Sequence, residues 1–304
     1  MDLALIDRVA AAYDGKLSPQ DRSCLNLCRA LWGVMSRAGA QASTLMQRDA
    51  AQAPALDELM ADLEEGLPFM SNHPISVDAT ALADVVELLL SVVSDSGAYD
   101  KSVCQAMRAL NLRQLIMLSD LDLASVDPEQ YLNSIVAVMQ NYGIDGSQIT
   151  ILVGLLSMGL RALQEPAAAA MVAALPQDAL DEHRHDHCPV CGGRPALAIL
   201  TRNKEGQGSG RKLACLQCGS IWDFDRIRCP HCGNKQVDKL GYRTVKGYPD
   251  HRIDYCDVCG HYIRTAVVET RNSPYSIDVE DCVMASLDAY ADESQREEDR
   301  STTA

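Results

Sequence analysis

The chain has 304 residues, of which 47% are hydrophobic and only 5% aromatic. This length and apolar content exclude a disordered chain and are enough for two domains with a substantial core. The net charge of −15 counts against nucleic-acid binding, because contacts with phosphates require dense positive charge.

Residues 1–180 are predicted to form a helical domain. Ser18-Pro-Gln-Asp is typical of a helix start, Asp78 can cap a second helix, and Asp127-Pro-Glu opens a third. The residues after Asp78 place apolar side chains on one helical stripe. Its members are Leu82, Val85, Val86, Leu89, Leu90 and Val93.

A fourth helix is predicted over residues 149–163. Its most apolar part, 149–160, has 12 residues, which is too short to span a bilayer. We interpret it as a buried core helix and expect no membrane association. The first residues carry acidic side chains and no basic region, so no secretory signal is expected and the protein is expected to be cytoplasmic.

Four cysteines lie outside any metal-binding motif. They are Cys24, Cys28, Cys104 and Cys282. Cys24 and Cys28 share one face of a helix, which leaves a helical metal site as an alternative. The ordinary interpretation is that these cysteines are small, buried apolar side chains.

The domain boundary is expected between Pro176 and Cys188. This segment contains His183, His185 and His187 at alternate positions. We interpret it as a polar linker with solvated histidines; a supplementary metal site is the alternative.

Eight cysteines in the last third of the chain form four Cys-x-x-Cys pairs. The pairs are Cys188 with Cys191, Cys215 with Cys218, Cys229 with Cys232, and Cys256 with Cys259. Adding 41 to each cysteine number of the first two pairs gives the last two, so the unit is duplicated. Four thiolates at this spacing are typical of a tetrahedral metal site. The sequence therefore predicts two metal ions, each held by four cysteines.

Each duplicated unit is predicted to be a rubredoxin-like or zinc-ribbon module. The 23 residues between its two pairs suit a strand, a turn and a returning strand. The strands are expected over 195–202 and 211–214 in the first module, and over 238–245 and 251–255 in the second. The fold class is thus α+β, with a helical domain (1–180), two tandem modules (188–222 and 223–271) and a short C-terminal helix with a disordered tail (272–304).

The residues leave some metal-site alternatives open. The repeat groups the first pair with the second and the third with the fourth, but an interleaved grouping is the alternative. Disulfides are disfavoured because a cytoplasmic protein keeps its thiols reduced. Four thiolates suit both zinc and iron.

The metal-binding region is mildly basic, whereas the rest is strongly acidic. Residues 188–271 carry a net charge of +6 and the remaining residues −21. Two four-thiolate sites with divalent ions would lower the first value to about +2. This distribution favours a protein partner over nucleic acid.

The cysteine-rich region resembles the formate dehydrogenase accessory protein family, FdhE. The resemblance rests on the Cys188-Pro-Val-Cys-Gly knuckle, on Trp222-Asp-Phe-Asp-Arg-Ile-Arg-Cys-Pro-His-Cys232, and on Tyr255-Cys-Asp-Val-Cys-Gly-His-Tyr-Ile-Arg264. It continues into the acidic segment Ile277-Asp-Val-Glu-Asp-Cys-Val-Met. It covers residues 188 to about 293, and residues 1–180 add only a helical region of suitable length.

The resemblance implies a cytoplasmic maturation factor, or chaperone, that is not itself an enzyme. Such a protein binds the catalytic subunit of formate dehydrogenase and is needed for its assembly or activity. The resemblance also implies rubredoxin-type iron at the two four-cysteine sites, with zinc as the alternative. Consistent with this, the sequence contains no phosphate loop, nucleophile motif or zincin signature.

Two other functions fit the motifs. A redox carrier or sensor would use iron in the rubredoxin-like knuckles. A nucleic-acid-binding zinc ribbon would use the +6 region and its tyrosines, but the overall charge disfavours it.

Overall fold

The computed structural model describes residues 1–48, 54–176, 178–181, 183–201, 210–269 and 274–291. Its helices are α1 (Leu3–Ala11), α2 (Pro19–Arg48), α3 (Leu56–Glu65), α4 (Phe69–Asn72), α5 (Ala79–Ser96), α6 (Lys101–Arg108), α7 (Leu112–Met117), α8 (Leu123–Val126), α9 (Pro128–Asn141), α10 (Gly146–Ala174) and α11 (Ile277–Met284). Its strands are β1 (Leu197–Thr201), β2 (Arg211–Ala214), β3 (Ile221–Phe224), β4 (Leu240–Thr244), β5 (His251–Cys256) and β6 (Tyr262–Val268).

The three predicted helix starts are confirmed. Ser18 precedes α2, and its Oγ accepts from the N–H of Asp21 at 3.1 Å. The Asp78 carboxylate accepts from the N–H of Ala81 at 2.8 Å, and Asp127 accepts from Gln130 at 2.9 Å. Each side chain satisfies a main-chain donor that the first helical turn leaves free.

Helix α10 is longer than predicted. It runs from Gly146 to Ala174 and passes through Pro166, although the sequence placed its end at residue 163. Proline removes one main-chain donor, so such a helix depends on its packing. Leu152, Leu156 and Leu160 supply this packing, since all three are buried in the main core with α2 and α5.

In the part of the chain that the structure describes, α10 is the one helix long and apolar enough to cross a membrane. In its most apolar window, 44% of the residues are buried inside the protein. The helix also buries Arg161 and Gln164, which are paired within the fold. A core helix passes the same test of length and apolarity, and the expected lack of membrane association stays a prediction.

The two predicted modules share one six-stranded sheet. Its strand order is β3-β2-β1-β6-β5-β4. The hairpins β1–β2 and β4–β5 are antiparallel, as predicted. Residues 202–209, which include most of the first turn, lie outside the described residues. Each module also has a third strand, β3 or β6, that the hairpin prediction lacked.

A parallel pairing joins the modules at the centre of the sheet. Strand β1 of the first module pairs with β6 of the second, with Leu197 opposite Arg264 and Thr201 opposite Val268. The 41-residue repeat makes β1 the counterpart of β4, and β3 the counterpart of β6. The first strand of one copy therefore meets the last strand of the other.

Helix α11 lies between the helical domain and the sheet. Val279 and Val283 belong to the main core of the helical domain. Ile277 and Met284 pack with Ile253 and other residues of the sheet. The mixed α+β content is confirmed, whereas the division into domains at 180, 222 and 271 stays a prediction. Residues 292–304, which include the predicted tail, lie outside the described residues.

Candidate metal centres

The first cluster consists of Cys188, Cys191, Cys215 and Cys218. Their Sγ atoms all lie within 4.8 Å of one another. Two of the sulfur–sulfur distances are 3.5 Å, between Cys188 and Cys218, and 3.6 Å, between Cys191 and Cys215. All four side chains are buried.

The second cluster consists of Cys229, Cys232, Cys256 and Cys259. Its Sγ atoms also lie within 4.8 Å of one another. The distance is 3.7 Å between Cys229 and Cys259 and 3.8 Å between Cys232 and Cys256. Cys232 is exposed and Cys259 is half-buried, so this cluster reaches the surface.

These distances fit four-thiolate metal sites. In a regular tetrahedron with metal–sulfur bonds of about 2.3 Å, neighbouring sulfurs lie about 3.8 Å apart. A disulfide would bring two sulfurs to about 2.05 Å, and every cysteine of the chain is free. The structure groups the cysteines as the repeat predicts and not in the interleaved alternative. That the eight residues bind metal stays a prediction.

All four Cys-x-x-Cys turns have the same main-chain geometry. The N–H of each first cysteine donates to the carbonyl five residues later, at 2.8–3.0 Å. Each turn also ends in a glycine whose φ lies between 70° and 81°, which a side chain would disfavour. These glycines are Gly192, Gly219, Gly233 and Gly260. The glycine in the Cys-x-x-Cys-Gly motif thus sets the turn that directs both sulfurs to one point.

Polar groups surround the sulfurs. The N–H of Val190 donates to Cys188 Sγ at 3.4 Å, and the N–H of His231 donates to Cys229 Sγ at the same distance. Asn234 Nδ2 lies 3.6 Å from Cys256 Sγ. Such hydrogen bonds stabilise thiolates, and they tune the reduction potential where the metal is iron.

Burial opposes the ionisation of Cys188 in the first cluster. It raises the pKa of Cys188 well above its ordinary value. A metal ion would supply the opposing charge, because binding displaces the thiol protons. Metal binding to the first cluster would therefore stabilise the folded structure around these buried cysteines.

The first cluster belongs to a core shared with the helices. Leu59, Phe69 and Met70 pack with its cysteines and with Trp222. The main-chain N–H groups of Phe69 and Met70 also donate to carbonyls of the first knuckle, at 3.0 and 2.8 Å. Helices α3 and α4 thus enclose this cluster.

The second cluster borders a cavity of about 370 Å³. Cys229 and Cys256 line one side. The charged and aromatic residues around it include Arg211, Arg226, Arg228, Arg252, Asp254, Tyr242 and Tyr255. Arginine predominates among its charged side chains, so the cavity favours anionic groups.

The linker histidines lie near one another. The ring centroids of His183 and His185 are 4.7 Å apart, and those of His185 and His187 are 5.2 Å apart. His187 Nε2 lies 3.1 Å from the Gly66 carbonyl oxygen. Among the described residues, the groups suited to a metal ion contain no histidine. His183 is buried rather than solvated, and burial lowers its pKa to about 4.

A third cysteine group contains the two residues of the alternative helical site and one residue that the sequence did not connect with them. The structure brings Cys24 and Cys28 of α2 together with Cys282 of α11. The interpretation as a buried apolar residue is wrong for Cys24, which is exposed. Cys28 and Cys282 are half-buried and pack against the main core, and Cys104 is buried as predicted. The four-residue spacing of Cys24 and Cys28 was the available signal, but nothing in the sequence placed Cys282 beside them.

The chain is similar to several curated relatives over part of its length. It is 31% identical over 109 residues to a protein FdhE homolog of Aquifex aeolicus, covering 36% of this chain and 38% of that protein. It is 26% identical over 124 residues to a protein FdhE homolog of Rhizobium meliloti, covering 40% of this chain and 39% of that one. The chain thus matches about two fifths of the length of these relatives. No protein-family model matches the chain.

One solved structure covers most of the chain. It is the crystal structure of the FdhE protein from Pseudomonas aeruginosa, which is 19% identical and covers 90% of each chain with a TM-score of 0.47. A TM-score below 0.5 does not establish a shared fold.

Proposed function

Since these relatives confirm the resemblance to the FdhE family, we propose that the chain is an accessory protein of formate dehydrogenase. It acts in the cytoplasm, binds the catalytic subunit and supports the assembly or activity of that enzyme. The observation that carries the proposal is the pair of four-cysteine clusters, whose neighbouring strands form one continuous sheet, together with those relatives. It catalyses no reaction of its own.

The chemistry of the clusters supports a binding role. Four thiolates complete the shell of a tetrahedral ion and leave no position for water or substrate. A metal in the first cluster would stabilise the fold, because that cluster lies in a core with Leu59, Phe69 and Trp222. The eight knuckle cysteines are the proposed ligands, and iron is the proposed metal.

The arginine-lined cavity beside the second cluster is the proposed docking site for an acidic segment of the catalytic subunit. Arg211 already lies 3.5 Å from Asp254 and Arg228 lies 3.9 Å from Asp225, but the Nε atom of each arginine is buried there without a hydrogen bond to the described residues. A carboxylate from a partner would satisfy these remaining donors. Arg226 and Ile227 also line the cavity, and both are exposed to solvent.

The first test is affinity purification of the tagged protein from its native cells, followed by mass spectrometry. We expect the catalytic subunit of formate dehydrogenase to be recovered. Deletion of the gene should abolish formate dehydrogenase activity, and the wild-type gene should restore it. Unchanged activity in the deletion strain would overturn the proposal.

The docking site has a matched test. Arg226→Glu reverses the charge of an exposed side chain at the cavity, and Arg113→Glu makes the same change on exposed α7. We expect Arg226→Glu to reduce recovery of the catalytic subunit at least tenfold and Arg113→Glu to leave it unchanged. Equal recovery with both variants would place the docking site elsewhere.

A redox carrier is the second candidate, and the exposure of Cys232 favours it. Iron bound there would lie close enough to the surface to exchange electrons with a partner. This function requires iron in the isolated protein and a visible absorption that changes reversibly on reduction. A colourless protein with two zinc ions would exclude it.

A further inference from the structure

Three cysteines from the two ends of the fold meet at the surface of the helical domain. Cys24 and Cys28 lie one turn apart on the same face of α2. Cys282 approaches them from α11, and its Sγ lies 3.9 Å from Cys24 Sγ. All three sulfurs lie within 4.8 Å of one another.

From this geometry we propose a third metal site, in which Cys24, Cys28 and Cys282 bind a soft divalent ion of the zinc class. Three thiolates select thiophilic ions over magnesium or calcium. With metal–sulfur bonds of about 2.3 Å, two ligands lie about 3.8 Å apart in a tetrahedral site and about 4.0 Å apart in a trigonal one. The distance between Cys24 and Cys282 fits both arrangements and is too long for a disulfide.

The site differs from the four-cysteine clusters in having an incomplete shell. Cys24 is exposed, so the site reaches the surface, and a fourth ligand would come from water or from a side chain of a partner. The neighbouring Asp281 is paired with Arg264, which binds it through Nη2 at 2.5 Å. Three thiolates are therefore the protein's own ligands.

The rest of the fold holds Cys282 in place. Two residues of α11 make buried polar contacts: Asp278 with Arg161 at 2.6 Å and Glu280 with His251 at 2.7 Å. Tyr13 also donates to Glu280 at 2.8 Å. A ligand fixed on a rigid helix is preorganised, which reduces the entropic cost of ordering it on metal binding.

An ion at this site would connect α2 to α11. Binding would displace the thiol protons and link residues 258 positions apart in the sequence. Because α11 also packs on the sheet, the third site would join the helical domain to the part of the chain that holds the other two clusters. This role is independent of any binding to formate dehydrogenase.

The test is a Co²⁺ titration of the full-length, reduced protein under anaerobic conditions, with bound metal counted by mass spectrometry. Cys24→Ser/Cys28→Ser should bind one ion per chain fewer than the wild type. Cys104→Ser removes a buried cysteine outside the three groups and should bind as many ions as the wild type. Equal counts in all three proteins would overturn the proposal.

The test compares the number of ions bound by the wild type with the number bound by the double variant, so it does not depend on whether the other clusters are occupied. If the four-cysteine clusters bind no metal, the wild type should bind one ion and the double variant none. Cys282→Ser changes the site from the other helix and decides the result if the double variant fails to fold. A disulfide between Cys24 and Cys282, detected after alkylation of unfolded native protein, would also overturn the proposal.

Discussion

Arg161 of α10 and Asp278 of α11 form a buried ion pair across 117 residues of sequence. Arg161 donates through Nη1 to Oδ1 of Asp278 at 2.6 Å, and through Nε to Glu165 at 2.9 Å. Arg161 is 5% exposed and Asp278 is 8% exposed. This pair, together with the apolar side chains of α11, attaches the end of the described chain to the helical core.

Removing one partner of this pair should destabilise the fold. Asp278→Asn leaves Arg161 buried with Glu165 as its remaining charged partner, and we expect a loss of about 3 kcal/mol in the free energy of unfolding. The measurement is urea denaturation followed by circular dichroism. Asp95→Asn is the matched control, because Asp95 pairs with Arg108 at 3.9 Å on the surface. If Asp278→Asn lowered the free energy of unfolding as little as Asp95→Asn does, the buried pair would not be needed for stability.

Replacing a cysteine should affect more of the fold in the first four-cysteine cluster than in the second. Cys188→Ser disrupts a core that includes Leu59 and Phe69, so hydrogen exchange should accelerate in α3 and α4 as well as in β1–β3. Cys259→Ser should accelerate exchange in β4–β6 only, because Cys259 lies outside that core. Unchanged exchange in α3 and α4 after Cys188→Ser would contradict this dependence.

The burial of His183 should make stability fall in mild acid. Burial lowers its pKa to about 4, whereas the unfolded chain titrates near the ordinary histidine value of about 6.5. Between about pH 6.5 and pH 4, His183 becomes protonated in the unfolded state but stays neutral in the folded state. The free energy of unfolding therefore declines as the pH falls through this range. Urea denaturation of His183→Leu should show a weaker decline over this range. The difference between variant and wild type removes the common effect of acid on the thiolates. Parallel pH profiles would contradict the assignment.

Gly241 and Tyr255 face each other across β4 and β5. A Cβ at Gly241 would overlap the Tyr255 ring, so the aromatic side chain covers the glycine of this edge strand. We expect Gly241→Ala and Tyr255→Ala each to cost about 1 kcal/mol in the free energy of unfolding. The double variant should lose less free energy of unfolding than the two single variants together, because each single variant already disrupts the contact between Gly241 and the Tyr255 ring.

The control for this pair is Gly154→Ala on α10, where a Cβ meets open space. It should be neutral or slightly stabilising, since alanine favours helix over glycine. Additive effects of Gly241→Ala and Tyr255→Ala in urea denaturation would show that the two residues do not interact.

Local sequence signals predicted the elements they encode directly. The offset of the duplicated cysteines gave their grouping, and Asp78 and Asp127 marked helix starts because capping depends on residues three positions away. The parallel pairing of β1 with β6 left no comparable signal, since its partners lie more than 60 residues apart. The sequence also gave no indication that Asp278 and Glu280 are buried, because Arg161 and His251, which pair with them, are distant in sequence. For the same reason, the proximity of Cys282 to Cys24 could not be predicted from the sequence.

The central position of β1 has a consequence for the newly made chain. During synthesis β1 emerges before β6, which follows about 60 residues later, so one edge of the first hairpin stays unpaired until the second module has left the ribosome. Four of its five residues are buried in the finished sheet. The nascent chain therefore passes through a stage in which an apolar strand edge is open to incorrect partners.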